Sequence, residues 1–266
     1  MVVLCYHSIH PRLPFASASP ELFRAQLAWL AEHCDVVRFA DVARLARERD
    51  RGRAAVAITF DDGYRDNHSY ALPLLEEARV PATFFVTVGL VERDAAVTAR
   101  IARIRGTSED QVKAMSWGEI GELVAAGHEV GSHTWSHPVL ARLATDEVRR
   151  ELEVSKRVLE DRLGLPVSAL AYPFGKLDAH VSPETVRLAR QAGYVRAGAV
   201  LSRAVRPADP ELVLPRFLAT RDDVRTLEAK VRGAWDWLGL WQEHAPRRLV
   251  RAVSPADWRD LGEPRA

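Results

Sequence analysis

Cysteine is scarce in this chain. Cys5 and Cys34 are the only two among 266 residues, without Cys-x-x-Cys spacing, which excludes a disulfide framework and a thiolate metal cluster. Both read as small buried hydrophobes. An excess of one charge is also lacking: 37 basic and 36 acidic residues, interspersed, leave a net charge of +1. Only four of the basic residues are lysine, and no basic block invites nucleic acid as a partner. No apolar run reaches the roughly 18 residues of a spanning helix, so no transmembrane segment is expected. The stretch from Met1 to His7 has neither a basic n-region nor a long apolar h-region. It reads as a first strand, making the cytoplasm the expected compartment, with membrane-proximal association left open. Gly-x-Ser-x-Gly, Gly-x-Gly-x-x-Gly and a phosphate loop are all missing, which argues against serine hydrolase, dinucleotide and nucleotide chemistry.

What is present is an ordinary globular composition, 47% apolar and 27% charged, able to bury a core. Short apolar runs alternate with helical patterns. Strands are expected at 2–6, 36–39, 56–60, 82–87, 128–131, 169–172, 194–200 and 212–217. Helices are expected from Pro20, over 41–49, from Gly63 to about Arg79, from Ser116 to Gly127, over 145–163, from Pro183 to Gly193 and over 222–238. Ser19-Pro20-Glu21 and Ser182-Pro183-Glu184 are helix starts, and Ser116 with Glu119 forms a capping box. Repeated β-then-α order argues for an α/β fold with a mainly parallel sheet, closed into a barrel. Residues 1–245 read as one catalytic domain and 246–266 as an arginine-rich tail. The polar segment 89–114 stands outside the rhythm.

Three separated segments carry chemistry. Thr59-Phe60-Asp61-Asp62-Gly63 puts two adjacent carboxylates at the end of an apolar strand; Asp-Gly there is also a frequent turn. His133-Thr134-Trp135-Ser136-His137 offers two imidazoles four apart, and Pro138 biases His137 toward extended geometry, so a loop is expected. No glutamate follows His133, which argues against a His-Glu-x-x-His protease. Tyr172-Pro173-Phe174-Gly175 is a rigid turn in which the amides of Phe174 and Gly175 are free to face an oxyanion. Two histidines and one carboxylate are a common zinc ligand set with an open position, leaving the second carboxylate as a base. His7 ends the first strand, on the same rim as Asp61. His128 reads as structural, and His10, His33, His68, His180 and His244 carry no assignment.

Together, in this order and spacing, the three segments resemble the polysaccharide deacetylases of carbohydrate esterase family 4, the NodB-homology domain, over roughly residues 1 to 240. The resemblance implies a distorted (β/α)7-type barrel and a divalent metal, usually zinc, with cobalt or nickel as substitutes. It implies hydrolysis of acetyl groups, mostly N-acetyl, on an acetylated amino-sugar glycan. Carried over by motif, Asp61 becomes the general base, Asp62, His133 and His137 the metal ligands, Phe174 an oxyanion donor through its amide, and Thr134 a support for the histidine loop. Two departures stand out: Ala171 occupies the place where many members carry an arginine that orients the base, and no late Leu-x-His supplies the acid. The opening Leu4-Cys5-Tyr6-His7-Ser8-Ile9 resembles the poly-N-acetylglucosamine deacetylase-like subgroup, whose acid comes from the first strand. His7 is therefore the candidate acid, and Arg216 is nominated for the missing arginine. An amidohydrolase of a small cyclic amide and a non-catalytic glycan binder remain the alternatives on the same fold.

Overall fold

The computed structural model describes residues 1–48 and 52–244; the expected tail, 246–266, lies outside the described residues. Strand β1 (Val2–Tyr6) is buried at every position, as a parallel strand covered on both faces requires. Helix α1 (Pro20–His33) starts where the Ser19 hydroxyl accepts the Leu22 N–H at 3.2 Å. Strand β2 (Cys34–Val37), helix α2 (Val42–Ala46) and strand β3 (Ala54–Phe60) follow. After the turn at Gly63, a π-helical turn at Asn67–Ala71 runs into α3 (Leu72–Ala78). Strand β4 (Thr83–Val86) leads to α4 (Val88–Val91), α5 (Ala95–Arg105) and, past the Ser116/Glu119 capping box, α6 (Trp117–Ala125). Next come β5 (Glu129–Ser132), α7 (Thr145–Leu163), β6 (Ala169–Ala171), α8 (Pro183–Gln191), β7 (Arg196–Val200), β8 (Leu214–Leu218), α9 (Val224–Val231) and α10 (Asp236–His244). None of these helices is long and apolar enough to cross a membrane.

Every strand pairing is parallel. The sheet runs β1-β8-β7-β6-β5-β4-β3, and β1 pairs again with β3, so seven strands close into a ring. Strand β2 is the distortion. It pairs with Ala54–Ala57 of β3, while β4 takes Thr59 and Phe60 on that strand, so the two share one edge in sequence. Alternation along the strands separates two apolar sets. Leu4, Tyr6, Ile58, Phe60, Phe84 and Val130 face the helices. Val3, Ala57, Phe85, Ala169, Ala171 and Leu214 form a second cluster, the barrel's own filling.

Three expected elements are corrected. The helix over 222–238 is two helices, because Gly233 adopts φ 80°, the left-handed conformation that ends a helix. The late strand starts at Leu214, since Glu211–Val213 form a 3₁₀ turn whose Val213 N–H donates to Pro210 O. The segment over 41–49 is a 3₁₀ turn, Phe39–Asp41, followed by one turn and a half of α2; residue 49 lies outside the described residues.

Candidate metal centre

Because all strands are parallel, their C-terminal ends share one rim, where barrels of this kind place their chemistry. His7 follows β1, Asp61 and Asp62 follow β3, His133 follows β5, and Phe174 lies just past β6. The ladder carries on into the motifs: the Asp61 N–H donates to Tyr6 O at 2.9 Å and the His133 N–H to Val86 O at 2.8 Å. The chain then turns sharply at Asp62, φ 74°, and at Gly63, φ 81°. Asp62 is a non-glycine residue in left-handed conformation, a strained geometry that the surrounding structure must maintain.

Asp61 is buried and held on both oxygens. Arg216 Nη1 donates to Oδ1 at 2.7 Å and Nη2 to Oδ2 at 2.8 Å, a two-pronged pairing, and the Cys5 thiol donates to Oδ2 at 3.3 Å. Burial alone would push this carboxyl up, but the Arg216 guanidinium overrides it and holds it well below the usual carboxylate range. Arg216 enters from β8, wholly buried inside the barrel, its guanidinium 5.4 Å from the Phe85 ring centroid. Small residues make room for it. A Cβ on Gly198 would stand 2.5 Å from Arg216 Nε, and Ala171 lies in the same lumen.

Asp62 is arranged differently. Its Oδ2 accepts from Arg105 Nη2, while its buried Oδ1 has no hydrogen-bond partner. The Nε2 atoms of His133 and His137 stand 3.6 and 3.4 Å from that orphan oxygen, too far for hydrogen bonds. Asp62, His133 and His137 each turn one donor atom to a common point, all within 4.8 Å of one another. The His133 Nδ1 lies 2.7 Å from the Ala171 carbonyl, which fixes the ring and leaves Nε2 free to ligate. Burial pushes His137 down to about 3 against the pull of Asp62, so its ring is neutral, as a ligand must be. An orphaned carboxylate oxygen between two imidazole nitrogens fits a divalent metal.

The histidine loop is built to hold this shape. Thr134 and His137 both have positive φ, 66° and 55°, so His137 sits in a loop as expected but is left-handed, not extended as Pro138 favours. The Thr134 hydroxyl accepts the His137 N–H at 3.1 Å. Glu151, on α7, accepts the N–H groups of Trp135 (3.0 Å) and Ser136 (2.8 Å) and the Ser136 hydroxyl (2.6 Å). In the third motif Phe174 has φ 60° and the Gly175 N–H donates to Pro173 O at 2.7 Å, a tight γ-turn. Of the two amides nominated after Pro173, that of Gly175 is thus spent inside the turn, leaving Phe174 as the candidate donor. The Phe174 ring packs edge-on against His137 at 4.8 Å.

His7 is half-buried at the same rim. Its N–H donates to the Ser17 hydroxyl at 2.9 Å and its carbonyl accepts from Asn67 Nδ2 at 2.7 Å. Beside it Asp66 takes hydrogen bonds from the Ser8 hydroxyl and the Ile9 N–H, fixing the strand exit. Burial pushes His7 down to about 4, helped by the Arg105 charge and opposed by Asp62 and Asp61. Cys5, His7 and Asp61 also have donor atoms within 4.8 Å of one another. That group makes a poor second metal site, because both Asp61 oxygens already face Arg216 and burial keeps Cys5 a thiol. His128 accepts the Ala82 N–H at 3.1 Å away from the rim, a structural place.

A family model for polysaccharide deacetylase matches residues 48–197, more than half of the chain. The chain belongs to the polysaccharide deacetylase family. Within that family it is similar to the Bacillus subtilis protein YxkH, 27% identical over 194 residues, 72% of this chain and 61% of that protein. The chain therefore spans less than two thirds of the length of that relative. It is also similar to the poly-beta-1,6-N-acetyl-D-glucosamine N-deacetylase of Staphylococcus aureus, 22% identical over 210 residues, 77% of this chain and 69% of that one. Among solved structures, IcaB from Ammonifex degensii superposes with a TM-score of 0.73 at 27% identity, covering 87% of this chain and 97% of that one. The closed parallel barrel is the NodB-like barrel of the polysaccharide deacetylases.

Sequence reasoning missed Arg105, Cys5 and Glu151 at this deacetylase site. A signal existed for Cys5, since strand alternation puts it on the same face as Val3 and two residues below His7. None existed for Arg105 or Glu151, which are charged residues on helices that read as solvent faces.

Proposed function

We propose that this protein removes N-acetyl groups from an N-acetylglucosamine-containing polysaccharide or oligosaccharide by metal-dependent hydrolysis, releasing acetate. The observation that carries the reading is the unequal state of the two adjacent acids. Asp61 has both oxygens engaged by Arg216 yet keeps a lone pair and serves as a base, whereas Asp62 keeps one orphan oxygen between His133 and His137 and serves as a ligand. A divalent metal held by Asp62, His133 and His137, zinc being the best match to the donor set, supplies Lewis-acid polarisation of the acetyl carbonyl and lowers the pKa of water.

The chain's own residues do the rest. Asp61, kept ionised by Arg216, takes a proton from the attacking water through a lone pair that Arg216 leaves free. The Phe174 N–H is the amide assigned to the developing oxyanion, since that of Gly175 is spent in the turn. His7 rests neutral, so the proton it delivers to the departing sugar nitrogen is gained during turnover, from the one Asp61 abstracts. Its low proton affinity then makes it a strong donor. The relatives' names support the glycan: the Staphylococcus aureus protein is named for poly-beta-1,6-N-acetyl-D-glucosamine.

The test is acetate release and glycan mass, before and after incubation with β-1,6- and β-1,4-linked N-acetylglucosamine oligomers. Chelation is expected to abolish release and zinc or cobalt to restore it. Full turnover in verified metal-free protein, or glycan binding without acetate, refutes the reading.

A further inference from the structure

The segment between β4 and α6 carries none of the three motifs, yet it reaches the site twice. Arg105 is the last residue of α5 and its side chain is 8% exposed. Its Nε donates to the Tyr64 hydroxyl at 3.0 Å and its Nη2 to Asp62 Oδ2 at 2.5 Å. Five residues earlier, Arg100 Nη1 reaches the Ser136 carbonyl at 3.4 Å and its hydroxyl at 3.3 Å, inside the loop between His133 and His137. Helix α5 is itself seated by Val97, Ile101 and Ala102, which cluster with Tyr64, Leu90 and Val112. One helix thus touches both the acidic and the histidine half of the metal centre.

The geometry gives that contact a purpose. A carboxylate on a short side chain is free to turn about its last bond, and only one of its oxygens is wanted at the metal. The Arg105 guanidinium fixes Oδ2, and Tyr64 fixes the guanidinium, so Oδ1 is left aimed where the two imidazole nitrogens converge. We propose that Arg105 is a positioning residue for the metal. By clamping the far oxygen of Asp62 it sets the metal affinity from outside the three motifs, through one side chain. The proposal rests on the ligand set assigned above. It also runs against simple charge reasoning, since a guanidinium next to a divalent cation is repulsive; orientation must outweigh that repulsion.

The experiment is a zinc titration of the apoprotein against a chromophoric chelator, with the absorption spectrum of the cobalt-loaded form as a second readout. Arg105→Met is expected to weaken zinc binding by about 10–100-fold and to alter the cobalt spectrum, the range seen when a ligand's supporting partner is lost. Tyr64→Phe, which removes the acceptor for Arg105 Nε, is expected to shift both in the same direction by less, and serves alone if Arg105→Met does not fold. Ile101→Ala loosens α5 without touching Asp62, and is expected to lower the melting temperature while leaving zinc affinity and the cobalt spectrum unchanged. Zinc binding by Arg105→Met as tight as, or tighter than, wild type overturns the proposal. So does an Ile101→Ala variant that loses affinity to the same degree, because the effect is then one of general packing. Wild-type protein that binds no zinc or cobalt overturns the ligand set itself, a failure distinct from either.

Discussion

Asp61 and Asp62 are neighbours in the chain, yet each is held by its own arginine, and the two arginines come from opposite kinds of structure. Arg216 stands on a barrel strand, inside the lumen, and grips both oxygens of Asp61. Arg105 ends a helix outside the barrel's repeating order and grips a single oxygen of Asp62. The lumen arginine is closed in by Phe85, Thr59 and the bare backbone at Gly198. The helix arginine is seated by Tyr64 and an apolar cluster at the rim. Two like charges side by side repel unless cations compensate them. Paired separately, one acid has both oxygens held, as the proposed base, while the other keeps an unpaired oxygen, as the proposed ligand. The same residue type, repeated, differs in how many of its oxygens are occupied, and the proposed roles follow that difference.

The sharpest way to break this comparison is to neutralise each acid in turn. Asp61→Asn is expected to keep metal affinity near wild type and lose about 10²–10⁴-fold in turnover, the range for a missing general base. Asp62→Asn is expected to lose metal affinity as well. Metal titration paired with acetate release separates the two, and an exchange of these outcomes would show the roles to be reversed.

Removing the lumen partner comes next. Arg216→Met leaves a buried, unpaired carboxylate, and breaking such a pair typically destabilises by about 3–5 kcal/mol. The pH dependence carries the sign. In wild type the Asp61 carboxyl is depressed in the folded state, so its pairing contributes stability above the unfolded value of about 4, and that contribution is lost as pH falls through the folded value. In Arg216→Met burial acts unopposed by that cation, the carboxyl rises, and the acid loss of stability is expected to flatten. The acid limb of the pH–rate profile should move to higher pH. Urea melts carried from pH 5 down to pH 2 check the first, and kcat/KM against pH the second.

The mildest cut tests whether the lumen arginine needs the space it has. Gly198→Ala puts a methyl group 2.5 Å from Arg216 Nε, and Arg216 cannot swing away without releasing Asp61. Overpacking of this kind destabilises by about 1–3 kcal/mol. Turnover is expected to fall while metal affinity holds, since Asp62 answers to a different arginine. Equal loss of both would join the two regions that the comparison separates.

Much of this was legible in the sequence, for physical reasons that differ by element. Helix Thr145–Leu163 is predicted to the residue because its apolar stripe is regular and Gly164, φ 66°, stops it. The strands are legible because those buried on both faces are continuous apolar runs. Strand β2 sharing an edge of β3 with β4 is not legible, since nothing in a four-residue strand says which part of its neighbour it will pair with. The ligand candidates are legible because a turn residue, a spacing of four and a proline are local facts. Arg216 is legible only as the answer to a gap, the alanine at position 171. Arg105 is beyond reach: its partners lie 41 and 43 residues away and the contact exists only once α5 has folded back over the rim. Side chains that work through long-range pairing leave no period in the sequence.

Barrel closure has a consequence for how the chain is made. Ribosomes deliver the N-terminus first, so β1, with Cys5 and His7, emerges with the motif-bearing strands close behind. Strand β8, which joins β1 through Leu4↔Phe217 and Cys5↔Leu218, comes last and brings Arg216 with it. Until then six of the seven staves stand ready, all three motifs included, around an acid whose counter-charge has not yet been translated. An unpaired carboxylate resists burial. The incomplete lumen should therefore stay open and wet until residue 216 arrives, so that closing the barrel and pairing Asp61 become one event in synthesis.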